Sequence, residues 1–120
     1  MIKKICLAAT TYFLAFSTFA FSSCPKAEVT NSPRFCESFK TAARCYCTSS
    51  GLPAGLCQNV DEIYLRMVVI YSTLENACRS QKYTSQQDCL DNWRCYLYGG
   101  MDSQSRICSS NGSRCTTMNV

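Results

Sequence analysis

Histidine is absent from the 120 residues of this chain. That removes Ser-His-Asp and Cys-His nucleophilic sites, His-based phospholipase and ribonuclease chemistry, and catalytic zinc held by imidazole. Cys-x-x-Cys is missing too, so the usual dithiol redox motif has no counterpart. Proline numbers only 3 and glycine 5, so little interrupts helices and no low-complexity linker divides the chain. No charge sign dominates. The 12 Lys and Arg exceed the 8 Asp and Glu by +4, or about +2 without Lys3 and Lys4. That is too small for the basic face that nucleic-acid binding requires. Beyond residue 24 the longest strongly apolar run, residues 67–71, is far too short to span a bilayer.

What the chain does have is cysteine, 11 in all, and an apolar N-terminus. Lys3 and Lys4 precede ICLAATTYFLAF, and Ala20-Phe21-Ser22 then places small side chains at the −3 and −1 positions of a signal-peptidase cut. Residues 1–22 are therefore expected to be a cleaved signal peptide, with a cut after Ala20 as the near equivalent. Residues 23–120 form a single cysteine-rich helical domain. The charged start and the Thr- and Phe-rich apolar stretch are compatible with bacterial export. Localisation is expected to be secreted or periplasmic.

A membrane-anchored lipoprotein attached through Cys24 is the alternative, although Phe21 stands where such processing takes a Leu-like residue. Parity argues against it. Once Cys6 leaves with the signal, Cys24, Cys36, Cys45, Cys47, Cys57, Cys78, Cys89, Cys95, Cys108 and Cys115 can pair completely, whereas a lipid on Cys24 would strand one thiol. Zinc is the rival use of clustered cysteine. Cys45-Tyr46-Cys47 has one residue between its thiols and no matching second knuckle, so disulfides are expected, with no metal and no cofactor.

Three helices read from pattern. The first starts at Asn31-Ser32-Pro33, with Ser32 as N-cap, Pro33 at the first helical position, and Phe35, Phe39, Ala42 and Ala43 on one face. The second spans residues 60–79 behind Asn59, with Ile63, Met67, Ile70, Tyr71, Leu74 and Ala77 as its apolar stripe and Val68 widening it. The third covers residues 85–98, opened by Ser85 and Asp88 and closed by Gly99. A short helix over residues 101–107 and a turn at residues 110–113 complete the pattern. The fold class is all-α, a small disulfide-stapled bundle of three to four helices.

Helix rise limits the pairings. Cys36 and Cys47 lie roughly 16 Å apart along one helix and cannot bond, and Cys57 and Cys78 flank another. Antiparallel first and second helices bring Cys36 toward Cys78, and Cys45 or Cys47 toward Cys57. Cys78 to Cys89 competes, and spacing alone leaves the connectivity open. The Tyr98-Gly99-Gly100 tripeptide of Kunitz inhibitors is present, but Met101 stands where that family has a cysteine. The Cys-x-Cys of plant lipid-transfer proteins also occurs, without the adjacent cysteines those proteins carry.

Arg, Tyr and Trp dominate binding hot spots, and Trp93, Arg94, Tyr96 and Tyr98 fall within six positions. Either Trp93 and Tyr96 are core with Tyr98 covering the helix end, or Arg94 and Tyr98 present a contact surface. The expected function is that of a small, monomeric, secreted, non-enzymatic interaction protein that binds an extracellular protein or lipid partner. Such a protein fits a bacterial exported factor acting on a host or competitor. The alternative is an apolar ligand held within the bundle, or lipid headgroups held by Arg34, Lys40 and Arg44. A carboxylate-based hydrolase ranks last, because Asp61, Glu62, Asp88 and Asp91 sit where helix N-termini attract acids.

The mass of the exported protein tests this reading. It should correspond to residues 23–120 with Cys24 unmodified, and reduction should add two hydrogens for each bridge formed by the ten remaining cysteines. An acyl mass on Cys24 would overturn the freely diffusing form.

Overall fold

A computed structural model describes residues 24–119; the expected signal peptide, residues 1–22, and Cys6 lie outside them. Four α-helices pack together, and no named strand occurs among the described residues. The first, α1, is Phe35–Ser49. Ser32 does begin the turn, since its Oγ accepts from Arg34 N at 3.1 Å and its carbonyl accepts from Phe35 N at 3.1 Å. The regular helix starts later than expected, at Phe35, with Arg34 in the cap position. Phe35, Phe39 and Ala42 then recur at helical spacing and are buried.

The long second helix expected over residues 60–79 is two helices, α2 Val60–Tyr71 and α3 Leu74–Ser80. Asn59 caps α2 as expected, accepting from Asp61 N at 2.9 Å. Ser72 then takes φ 74°, and extended Thr73 accepts from Asn76 N at 3.1 Å through Oγ1. Hydroxyls of this kind offer the backbone an alternative to helical bonding. Thr73 uses it to cap α3, while the positive φ of Ser72 ends α2. The apolar stripe is cut in consequence. Ile63 and Ala77 are buried, Met67 and Leu74 half-buried, while Ile70 is 63% exposed.

The fourth helix, α4, is Gln86–Tyr98. Ser85 Oγ accepts from Asp88 N at 3.1 Å, and Gly99 closes the helix with φ 67°. Residues 101–107 are not the short helix the sequence led us to expect. Met101 and Ile107 form an antiparallel bridge, and Asp102 Oδ1 accepts from Gln104 N and Arg106 N at 2.9 Å each. The carboxylate supplies the acceptor that a helical carbonyl would have supplied, and it does so within a tight turn.

Phe39 is the centre of the core. Its ring meets Phe35 at 5.5 Å, Trp93 edge-on at 4.8 Å and Tyr96 at 5.4 Å, locking α1 to α4. Five disulfides use all ten cysteines of the described residues: Cys24–Cys45, Cys36–Cys115, Cys47–Cys57, Cys78–Cys89 and Cys95–Cys108. Cys47–Cys57 is one of the pairings that antiparallel packing allowed. Cys36 does not approach Cys78, because the break at Ser72 gives Cys78 its own helix beside α4 and Cys89. Cys45, on the face of α1 opposite Cys36 and Cys47, takes Cys24.

Gly99 and Gly100 both have positive φ, but only Gly99 sits against backbone: an added Cβ would lie 2.4 Å from Gly112 O and 2.7 Å from Arg114 N. Gly100 has open space around that position. Gly100→Ala should therefore lose only about 1 kcal/mol to left-handed strain. Gly99→Ala must also displace residues 112–114 and should destabilise several-fold more in chemical denaturation. Equal losses would contradict this packing.

Candidate ligand-binding cleft

A half-open cleft of about 660 Å³ lies between α1, α2 and α4. Phe39, Ala42, Ala43 and Tyr46 line it from α1, Ile63, Arg66, Met67 and Ile70 from α2, and Asp88, Asn92 and Trp93 from α4. The non-helical lining comes mainly from residues 26–30 and residues 81–85, with Ser50, Leu52 and Arg106. Small side chains at Ala42 and Ala43 leave the space, because a larger residue there would fill it. At the edge Tyr83 stacks on Tyr46 with ring centroids 4.7 Å apart. Tyr83 is held there because Cys78–Cys89 closes its loop. Cys24–Cys45 likewise pins residues 26–30 to α1, and Cys47–Cys57 pins the segment that contributes Leu52.

The lining is mainly apolar, with an uneven distribution of charge. Its cations are Lys26, Arg66, Lys82 and Arg106, and its acids are Glu28 and Asp88. Glu28 is taken up by Arg34 at 3.5 Å and by the Ser32 hydroxyl at 3.0 Å. Arg106 is taken up by Asp102 at 2.7 Å. Lys26, Lys82 and Arg66 form no ion pair among the described residues, which leaves a local excess of positive charge. Arg66 Nε is out of contact with solvent and lacks a hydrogen-bond partner among the described residues. Buried polar atoms are normally paired.

One side of the cleft is fixed by Asp102. Its carboxylate accepts from Thr30 Oγ1 at 2.6 Å and from Arg106 Nε at 2.7 Å, tying the N-terminal segment to the hairpin. Burial pushes the Asp102 carboxyl up, but the bonds from Thr30, from the backbone and guanidinium of Arg106 and from Gln104 N outweigh it and bring it down to about 2. Other acids serve as braces too. Asp61 accepts from the Tyr96 hydroxyl and from Thr116 Oγ1, joining α2, α4 and the C-terminal segment. Burial, followed by the Asp61 contact, raises the Tyr96 hydroxyl well above its ordinary value. Asp91, fully buried, accepts from Ser103 N at 3.1 Å, Ser103 Oγ at 2.9 Å and Gln87 Nε2 at 3.1 Å.

Comparisons with known proteins return no match to this chain: no family model, no curated protein and no solved structure. Among the described residues no helix is long and apolar enough to cross a membrane, and no group of three His, Cys, Asp or Glu is placed to hold a metal ion.

The residues singled out from sequence are divided by the fold. Trp93 and Tyr96 are buried, and Trp93 reaches the cleft. Arg94 is exposed and paired with Glu75 at 2.9 Å. Tyr98 is 58% exposed and lies beside Tyr64, whose hydroxyl is raised by burial and then by Tyr98 and Glu75. Neither Arg94 nor Tyr98 lines the cleft. Arg34 and Arg44, proposed for headgroups, are engaged locally: Arg34 with Glu28, and Arg44 Nε with the Gln58 carbonyl at 2.9 Å. Lys40 is half-buried. The reading from sequence missed Arg66, Tyr83 and the lysines 26 and 82. Arg66 did carry a signal. It stands three residues after Ile63 and four before Ile70, an arginine inside an apolar stripe.

The Asp102 bonds set an acid dependence. Its folded value is below the ordinary 3.8, so the unfolded chain binds the proton more readily. The stabilisation is complete above about pH 4 and is lost as pH falls toward about 2. Asp102→Asn should be less stable than the parent at neutral pH, with the gap closing across that window in melting experiments. A gap that stays constant from neutral to acid pH would contradict the assignment.

Proposed function

We propose that this is an exported, non-enzymatic binding protein whose cleft receives an apolar ligand. The observation that carries the reading is the cleft itself. Its volume of about 660 Å³ falls in the range of small-molecule sites, and apolar and aromatic side chains make up the larger part of a lining that also carries many polar groups. A bundle built only to display a surface gains nothing from leaving such space beside Phe39 and Trp93. The five disulfides support residence in an oxidising compartment, secreted or periplasmic. Cys24 supports a freely diffusing form, since its sulfur is bonded to Cys45 and a sulfur so used cannot carry a thioether lipid. The carboxylates Asp61, Asp91 and Asp102 are engaged in bracing bonds, which argues for binding over hydrolysis.

A second reading, contact with a macromolecular partner, draws on the outer face of α2, where Val69 is 83% and Leu65 49% exposed. Unpartnered apolar surface of this kind marks interaction sites. The cleft and this face share Arg66 but are otherwise distinct.

Trp93 is the only tryptophan in the chain and reaches the cleft, so its emission should report occupancy. Titration with 1-dodecanol or laurate, below their aggregation limits, should shift and saturate that emission. Ala43→Phe keeps the single tryptophan and fills the cleft; it should weaken uptake by about tenfold or more while the melting temperature stays within a few degrees. Failure of the parent protein to take up either probe would overturn the reading.

A further inference from the structure

We propose that the cleft selects single-chain amphiphiles with an anionic head, carboxylate or phosphate, and that Arg66 receives that head. The inference rests on the proposed ligand-binding cleft and adds its specificity. Arg66 lies on α2 between Ile63 and Ile70, one turn from each, so its side chain runs along the same apolar wall that would hold the alkyl chain. Its Nε is buried without a hydrogen-bond partner among the described residues. A guanidinium is always charged and presents a planar fork of donors that matches carboxylate or phosphate oxygens. An anionic head placed at Arg66 would pair with the guanidinium fork, and would reach the buried Nε only once the side chains covering it shift; an alcohol or ester head makes a weaker partner.

The surrounding charge agrees. Glu28 and Arg106 are neutralised by Arg34 and Asp102, so Lys26, Lys82 and Arg66 face only Asp88 around the lining. Asp88 sits in the first turn of α4, where the helix dipole favours a carboxylate. The net field over the opening therefore favours an anion. The apolar lining, with Ile63, Met67 and Trp93, gives the chain a dry surface. The ligand class follows from both halves together, an acyl or alkyl tail against those residues and a negative head at Arg66.

The test compares laurate, lauryl phosphate and 1-dodecanol, which share one chain length, by titration of Trp93 emission and by calorimetry. At least one anion should bind about tenfold or more tightly than the alcohol, and the preference should shrink with added salt. Whichever anion binds tighter identifies the head. Arg66→Met should bring the anion-to-alcohol ratio close to one while 1-dodecanol still binds, showing that the cleft is intact. Arg66→Lys, which keeps the charge without the fork, should fall between. Should Arg66→Met not fold, Arg66→Lys and the parent ratio decide the matter. Equal binding of the three probes by the parent overturns the head selection and leaves the apolar cleft standing. Absence of binding by all three overturns both. An anion preference unchanged in both Arg66 variants overturns the assignment to Arg66.

Discussion

Because α1 carries Cys45 on one face and Cys36 and Cys47 on the other, its sulfurs reach three separate parts of the chain. Cys24 ties the N-terminal segment to it, Cys57 the following loop, and Cys115 the C-terminal segment. The last of these closes the longest interval, 79 residues, for which restricting the unfolded chain contributes ~4.5 kcal/mol, against ~3 kcal/mol for the 10-residue Cys47–Cys57 interval. The intervals overlap, so these figures do not simply add. Even so, one such bridge is a large fraction of the ~5–15 kcal/mol that a domain of this size retains. Positions of these three segments are thus inherited from α1. Cys95–Cys108 performs the same service for the end of the hairpin from α4, and of the five bridges only Cys78–Cys89 joins two α-helices.

This division of labour explains how a chain of this length can keep an open cleft. Its aromatic core is compact: Phe35, Phe39, Trp93 and Tyr96 hold α1 on α4, and Tyr64 reaches Trp93 at 5.7 Å. That core cannot also position residues 26–30 and 81–85, which have few apolar side chains to bury. Covalent bonds help do it instead, through Cys24–Cys45 and Cys78–Cys89, together with the Thr30–Asp102 hydrogen bond for the first segment. Walls held by sulfur need not pack against each other, so the space between them survives. Phe39 and Trp93 belong to both parts, packed in the core and lining the cleft.

Much of the helical framework was legible because its signals are local. Asn59 and Ser85 cap where polar side chains before apolar periodicity predict, and Gly99 closes α4 with a positive φ. Helix rise correctly excluded Cys36 with Cys47; Cys57 and Cys78 also do not pair, although the single long helix on which that exclusion rested is broken at Ser72. The misses have local causes as well, outweighed by a stronger pattern. Ser72-Thr73 is a stop followed by a cap, but the stripe from Ile63 to Ala77 runs through it and masks it. Asp102 fell within the short helix expected over residues 101–107, yet its carboxylate organises a turn and holds Thr30 at a distance of 72 residues along the chain. The cleft was not legible as a place. Its lining comes from five stretches whose convergence depends on disulfide connectivity, which spacing leaves undetermined. Trp93, Arg94, Tyr96 and Tyr98 were near neighbours in sequence, and the helix sent them to different environments.

Coupling between sulfur and cleft has a functional consequence. Reduction would free Leu52 and Tyr83 from their bridges and would leave residues 26–30 held only by hydrogen bonds, among them Thr30 to Asp102 and Glu28 N to Ser38 Oγ, so the walls around Phe39 and Trp93 would loosen. A ligand of the proposed kind, seated in the cleft, would touch all three walls and favour the state in which they are in place, adding RT ln(1 + [L]/Kd) to the stability of the bridged form. Under that proposal binding and oxidation would reinforce each other by linkage, and ligand affinity would be tied to conditions in which these bridges persist. The same linkage separates the two proposed surfaces. Leu65 and Val69 stand on a continuous stretch of α2 that no bridge anchors directly, so a partner bound only there would have far less dependence on the cystines than a ligand held between α1, α2 and α4.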